Sequence, residues 1–530
     1  MPNKRVSLYL AGLTLAAGAV GPVQAATPSG QDGEAGRCAA LKNINLGPDI
    51  SVTSATLVQA PFKITEPDYG SGEVKPPPPT TKPFCRVEVL AKPDQSEIYY
   101  EAWLPVRANW NGRFYGVGAG GFGGAISLSG LSKAMDQGYA AMATDYGHRS
   151  APASLMWAAG QPQKVADFGY RAVHVSTTGA KRIAASFYGK QPDYSYWNGC
   201  SRGGSMGMVN AQRWYEDYDG IVSGNAARDW VRGLTSGSAY ILRQVRDPAA
   251  RIPPAKIPFI HAAVLQQCDA RDGLKDGLIS QADQCKVDTK KLLCTGGDRD
   301  DCLTKGQASA LDEIYTGVRK KNGDRLADPF MPGAEQELMF LGATSFAPGG
   351  SWGTSANAEF WSGFVYEDPA YDPGKSLELE EGYDYAMKKL SWALSHQNPD
   401  LSSLKRAGGK LIMYMGEADP LLSPVAATEY YQDVVRTMGQ TSADEFVRYY
   451  VAPGVGHCSG GDGPDVFNML KPVQDWVEKG IAPAEVIASK LNKQGQVVRT
   501  RPLCPFPQIA RYDGKGSIDD AASFSCGSPD

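Results

Sequence analysis

The stretch Tyr194-Ser195-Tyr196-Trp197-Asn198-Gly199-Cys200-Ser201-Arg202-Gly203-Gly204 decides the fold. An aromatic-rich strand pattern runs into a glycine-flanked serine, and residues 206–215 then carry a helical pattern. Gly199-Cys200-Ser201-Arg202-Gly203 is a G-x-S-x-G motif, which holds a serine on a sharp strand-to-helix turn. Glycines at 199, 203 and 204 remove side chains that would clash in so tight a turn. A Gly-rich structural turn would use the same residue types, so the flanking strand and helix weigh most. Together they predict a nucleophile elbow with Ser201 as the nucleophile.

Outward from the elbow, strand-like runs lie at 86–90, 98–104, 113–118 and 140–145, and a helix is expected over 166–188. Buried strand patterns return at 409–416 and 447–451. This alternation predicts an α/β fold with a doubly wound sheet. Strands are hard to find between 227 and 398, a stretch rich in Trp, Tyr, Gly and Asp, so it reads as an inserted second domain. Residues 27–80 are Pro- and Gly-rich and read as an arm or surface loop. There is no internal repeat.

A chain of 530 residues exceeds one ordinary core, in keeping with two domains. The net charge of −4 comes with no basic stripe, which argues against a nucleic-acid partner. Lys4 and Arg5, an apolar run over 6–20 and the small-residue site Val23-Gln24-Ala25 form a signal-peptide pattern. The run is too short to span a bilayer, so residues 1–25 are expected to direct export and the chain to be secreted or periplasmic, with no membrane partner. The ten cysteines agree, because an even set in an exported chain suggests disulfides. Ten cysteines allow ~945 pairings. Proximity favours Cys294–Cys302, Cys268–Cys285 and Cys504–Cys526. No tight CxxC or HxxxH spacing points to zinc.

A serine alcohol needs a base to take its proton. Of five histidines, His457 lies on a Gly-rich loop after the last strand pattern, where hydrolases with this elbow carry the base. His174 falls inside a helix, His261 and His396 in the insertion, and His148 after a strand end. The acid that orients the imidazole is expected at Asp419, directly after the 411–415 strand, with Glu417 and Asp462 as rivals. An oxyanion hole needs main-chain N–H donors: one from Arg202, the next from the glycine loop 116–124. That loop departs from the dinucleotide-binding spacing. Cys200 precedes Ser201 and Cys458 follows His457; if the two pair, one bridge ties nucleophile backbone to base backbone. A second motif, 268–278, sets Asp269, Asp272 and Asp276 among glycines, which suits a hard cation such as calcium, although a solvated acidic turn would look alike. It is not an EF-hand.

With Cys200-Ser201, Asp419, His457-Cys458-Ser459-Gly460-Gly461 and the tail 499–508 in place, the chain resembles the tannase and feruloyl esterase family of α/β-hydrolases, which includes the mono(2-hydroxyethyl) terephthalate hydrolase, MHETase. The resemblance implies an α/β-hydrolase domain over 26–227 and 398–530, with a lid at 228–397. It implies Gly121 as the second oxyanion donor. It implies a structural calcium held by Asp269, Asp272 and Asp276 with the main-chain oxygens of Leu274 and Leu278. The implied disulfides are 38–85, 200–458, 268–285, 294–302 and 504–526, which use Cys38, Cys85, Cys200, Cys458, Cys268, Cys285, Cys294, Cys302, Cys504 and Cys526. The substrates it implies are esters of aromatic acids such as ferulate or gallate. The terephthalate enzyme grips a carboxylate with a lid arginine, and the matching stretch here, 354–364, has none. Phe360, Trp361 and Phe364 are candidates to stack on the substrate ring, or else lid core. Three readings follow: a secreted phenolic-ester hydrolase, an MHETase-like enzyme, and a non-enzymatic calcium-stabilised binding protein.

Overall fold

A computed structural model of the chain describes residues 30–64, 79–150, 154–346 and 351–529. The expected signal peptide at 1–25 lies outside the described residues.

Nine strands form one sheet. They are β1 (Ile50–Val58), β2 (Phe84–Ala91), β3 (Ile98–Pro105), β4 (Arg113–Val117), β5 (Ala140–Thr144), β6 (Tyr194–Cys200), β7 (Gly220–Gly224), β10 (Lys410–Gly416) and β11 (Val447–Ala452). β8 (Val318–Arg319) and β9 (Arg325–Ala327) form a separate ribbon within the insertion. The sheet order is β1-β2-β3-β5-β4-β6-β7-β10-β11. β1, β2, β3 and β5 pair antiparallel in turn. From β5 through β4, β6, β7, β10 and β11 every pair is parallel. Parallel strands set all their carboxyl ends on one edge, where open α/β sheets place their sites.

Side chains on these strands alternate between two cores, as the period of two requires. Trp197, Ile221, Leu411 and Met413 join one core, and Tyr196, Val222 and Ile412 join the other. β6, β7 and β10 are therefore apolar on both faces, the mark of a sheet covered on both sides at its centre.

The sheet takes no strand from residues 225–409, so its last two strands come from beyond the insertion. One expectation is corrected. The 27–80 segment is not merely an arm: it carries a helix at Gly30–Ala40 and the edge strand β1, and it buries Leu41, Leu46, Val52 and Ile64. Cys38 pins that helix to β2 through Cys85. The other bridges are Cys200–Cys458, Cys268–Cys285, Cys294–Cys302 and Cys504–Cys526, and no described cysteine is free. Among the described residues no helix is long and apolar enough to cross a membrane.

Candidate active site

Five strand ends build the site. β6 leads directly into Ser201, whose φ of 59° and ψ of −117° lie where only glycine is unstrained. Its N–H bonds to the Gly224 carbonyl at the end of β7, and the helix Arg202–Arg213 starts at the next residue. The turn tolerates this because three glycines meet under it. A Cβ on Gly203 would stand 2.8 Å from the Gly118 Cα, and one on Gly118 would stand 2.7 Å from the Gly199 Cα. Main-chain bonds from Gly118 N to Asn198 O and from Gly203 N to Ala119 O lock the loop after β4 onto the elbow.

Asp419 follows β10 and is fully buried. Its Oδ1 accepts the N–H groups of Leu421 and Leu422. Its Oδ2 faces His457 Nδ1 at 2.7 Å, which fixes the ring and leaves Nε2 as the free nitrogen. Asn225, just past β7, donates from Nδ2 to the same Oδ2 at 2.6 Å. Asn225 was missed in the sequence. The five-residue strand ahead of it, bounded by two glycines, is too short to declare itself. His457 lies beyond β11, and the adjacent Cys458 has a positive φ of 68° and bonds to Cys200.

Ser201, His457 and Gly121 line one cavity between the strand ends and the insertion. Its other walls are mainly apolar: Trp230, Leu234, Ile241, Met339, Phe340 and Leu422, with Asn357 the main polar addition. Of the sequence candidates for ring contact, none lines it. Phe360 and Trp361 are fully buried and Phe364 nearly so, in a π-helical turn (Phe360–Val365) that joins the core shared with the sheet. Trp361 spends its N–H on Ser238 Oγ. Aromatic spacing alone cannot separate a pocket wall from a core; here the rings in the cavity wall are those of Trp230 and Phe340.

The rival titratable groups are engaged elsewhere. Glu417 Oε1 accepts the Ala282 N–H, and burial pushes its carboxyl up to about 8. His261 bridges Glu335 at 2.8 Å and Asp462 at 3.0 Å. Burial alone would lower that imidazole, but its two carboxylate partners outweigh it and raise the group to about 9. His174 pairs with Asp217 at 2.7 Å and stacks on Trp214. His148 stacks on Trp157, and burial drives it down to about 3. Burial likewise takes His396 down to about 3. Arg202 also has its side chain fully buried, under the rings of Phe168, Tyr146 and Trp230.

In the 268–278 loop, Asp269 accepts the N–H groups of Asp276 and Gly277, and Asp272 accepts that of Leu274. Asp276 Oδ2 pairs with Arg501 at 2.6 Å. Burial, then the charges of Asp276 and Asp269, raise the Asp272 carboxyl. Leu278 follows Gly277 in this turn, donating its N–H to Asp276 Oδ1. Among the described residues no three His, Cys, Asp or Glu side chains are disposed as a metal cluster.

A family model for tannase and feruloyl esterase matches residues 85–527. An uncharacterised esterase of Xanthomonas campestris is 33% identical over 92% of this chain and 91% of its own length. A probable feruloyl esterase B-1 of Aspergillus terreus is 30% identical over 92% of this chain and 95% of its own. The crystal structure of feruloyl esterase B from Aspergillus oryzae superposes with a TM-score of 0.84 at 27% identity, covering 93% of this chain and all of the other. The tannin acyl hydrolase of Aspergillus niger shares the fold, with a TM-score of 0.76 at 22% identity over 93% of this chain and 94% of the other. This α/β-hydrolase chain is a carboxylic ester hydrolase and belongs to the tannase and feruloyl esterase family.

Proposed function

We propose that the chain is an exported serine esterase acting on esters of phenolic aromatic acids, of the ferulate or gallate kind. The observation that carries this is the His457–Asp419 bond of 2.7 Å at a cavity that Ser201 also lines. Ser201 Oγ attacks the ester carbonyl carbon while His457 Nε2 takes its proton and the carbonyl π pair moves onto oxygen. The oxyanion is held by the N–H groups of Arg202 and Gly121. Arg202 is the first residue of its helix, so its N–H has no carbonyl partner within that helix. Collapse expels the alcohol, which receives the proton from His457. Water then repeats the sequence on the acyl-enzyme, releasing the acid and restoring the serine.

The relatives named for feruloyl esterase support the acyl group, and so does the cavity. No lysine or arginine lines it, so an uncharged phenolic ring suits it better than the free carboxylate of a terephthalate monoester. The lid assignment for 228–397 is supported by its place over the strand ends, with Trp230, Ile241, Met339 and Phe340 forming the cavity roof. Export is supported by five disulfides, which persist in oxidising compartments. A structural calcium remains a proposal for the 268–278 loop: a cation would offset the mutual repulsion of Asp269, Asp272 and Asp276, with carbonyl oxygens of Leu274 and Leu278 completing its shell.

Rates on methyl ferulate, methyl gallate and mono(2-hydroxyethyl) terephthalate test the substrate class. The two phenolic esters should be turned over well ahead of the terephthalate; the reverse order would overturn the assignment.

A further inference from the structure

We propose that the Arg202 side chain is a buried, uncompensated cation whose field stabilises the negative charge that forms beside Ser201 during ester cleavage. The proposal rests on Ser201 being the nucleophile and adds to that reading an electrostatic source behind the oxyanion site.

The guanidinium has no exposed surface, and Nε, Nη1 and Nη2 have no hydrogen-bond partner among the described residues. Its surroundings are rings: its central carbon lies 3.7 Å from the centre of Phe168, 4.8 Å from Tyr146 and 5.8 Å from Trp230. It takes part in no ion pair among the described residues, although Arg228, Arg232 and Arg243 nearby in the sequence all find oxygen partners. Burial lowers its pKa only to about 9, so it stays charged at neutral pH.

Two rules are broken at once. A buried charge without a counter-charge is costly. Arg202 also opens the helix Arg202–Arg213, whose N-terminus is already the positive pole. Such local violations gather at functional sites, where a group is kept despite its cost to stability. Here the violation sits one residue from the proposed nucleophile.

The guanidinium adjoins a ring of the cavity wall. Arg202 does not line the cavity; Trp230 does, and the cation sits at that ring. On the other side, Tyr146 OH accepts the Ala119 N–H, and the Ala119 carbonyl accepts the Gly203 N–H. The cage thus shares Trp230 with the cavity wall and Tyr146 with the loop bonded to the elbow. The guanidinium touches no substrate atom, so it acts through its field. A neutral ester, with only its carbonyl dipole, gains far less from that field in the ground state. The tetrahedral intermediate gains once its oxygen carries a charge, and a low-dielectric surrounding lets a fixed charge act across several ångströms. The imidazolium that forms at the same moment has its own counter-charge in Asp419. The effect should therefore fall on kcat and spare KM.

The test compares Arg202→Met, which keeps the stem, the packing and the main-chain N–H, with Arg202→Lys, which keeps the charge. The methionine variant should lose roughly 10- to 100-fold in kcat, with KM within about twofold and a Tm equal to or above that of the parent. The lysine variant should recover most of the rate. A methionine variant with parental kcat overturns the proposal. So does one whose kcat and Tm fall together with no recovery by lysine, since that marks a packing role. Should the methionine variant not fold, Arg202→Gln replaces it: glutamine slow and lysine fast supports the proposal, equal rates overturn it. Ser201→Ala is assayed alongside; activity there removes the nucleophile reading itself, whereas a dead Ser201→Ala with a fast Arg202→Met removes only the role of the charge.

Discussion

Asn225 Nδ2 and Asp419 Oδ2 stand 2.6 Å apart, and that one carboxylate oxygen also faces His457 Nδ1 at 2.7 Å. Both Asn225 and Asp419 have no exposed surface. Asp419 Oδ1 is held by two main-chain N–H groups, so the carboxylate has little freedom to rotate. Asn225 itself is fixed by its N–H on the Tyr414 carbonyl. In the proposed mechanism it is a positioning residue whose effect passes through Asp419 to the imidazole.

Asn225→Ala should therefore lower kcat by about 10- to 100-fold, the worth of one hydrogen bond to a charged group, with a small change in KM. Steady-state kinetics on a phenolic ester check this. A fall in KM-dependent binding with kcat untouched would speak against a positioning role.

The Cys200–Cys458 bridge joins residues 258 apart in sequence with Cα atoms 6.0 Å from each other. Closing so long a loop constrains the unfolded chain by about 5 kcal/mol in the entropy model. It also holds the backbones of Ser201 and His457, where a 1 Å displacement can cost ~100-fold. The double variant Cys200→Ala with Cys458→Ala should lose kcat at temperatures where circular dichroism still reports a folded protein. Parental kcat up to the melting transition would show that the bridge serves stability alone.

His261 ties Glu335 of the insertion to Asp462 on the loop that carries His457. Glu335 is in turn held by the Tyr315 hydroxyl. The imidazole's folded pKa, about 9, lies above the usual histidine value of ~6.5. A group raised on folding stabilises fully below its unfolded pKa and loses that contribution as pH rises through the folded one. Tm should therefore fall as pH rises from about 7 to about 10, and His261→Gln should flatten that slope while lowering Tm at pH 7. Differential scanning fluorimetry across pH reads both. Identical pH profiles for parent and variant would remove this pair from the account.

Calcium binding at the 268–278 loop should raise Tm by mass action, and excess chelator should lower it. Asp272→Ala should abolish the chelator response. An unchanged Tm in chelator, with no calcium by elemental analysis, would leave the loop a plain acidic turn.

The elbow, Asp419 and His457 were legible because each follows a strand whose apolar run is long enough to be seen. The flanks of β6 and β10 set the register, and glycines mark the turns. β1 was not legible: Ile50–Val58 alternates weakly, with serine and threonine at exposed positions, and it lies in a Pro-rich region. β7 was hidden by its brevity, and Asn225 with it. The cavity wall escaped for a different reason. Trp230, Phe340 and Asn357 come from three separated segments, and only tertiary packing brings them together. Phe360, Trp361 and Phe364 show the converse, since a cluster of aromatics in sequence proved to be buried core, with Phe364 packed on Trp157 and Phe168 outside the insertion.

The central claim is that an ester is cleaved through an acyl group on Ser201. The most direct measurement is peptide mass spectrometry after rapid quenching with a slow aryl ester. The acyl mass should appear on the peptide containing Ser201, with one equivalent of phenol released in a burst, and both should vanish in Ser201→Ala. An acyl adduct on another residue, or an undiminished burst from Ser201→Ala, would contradict it.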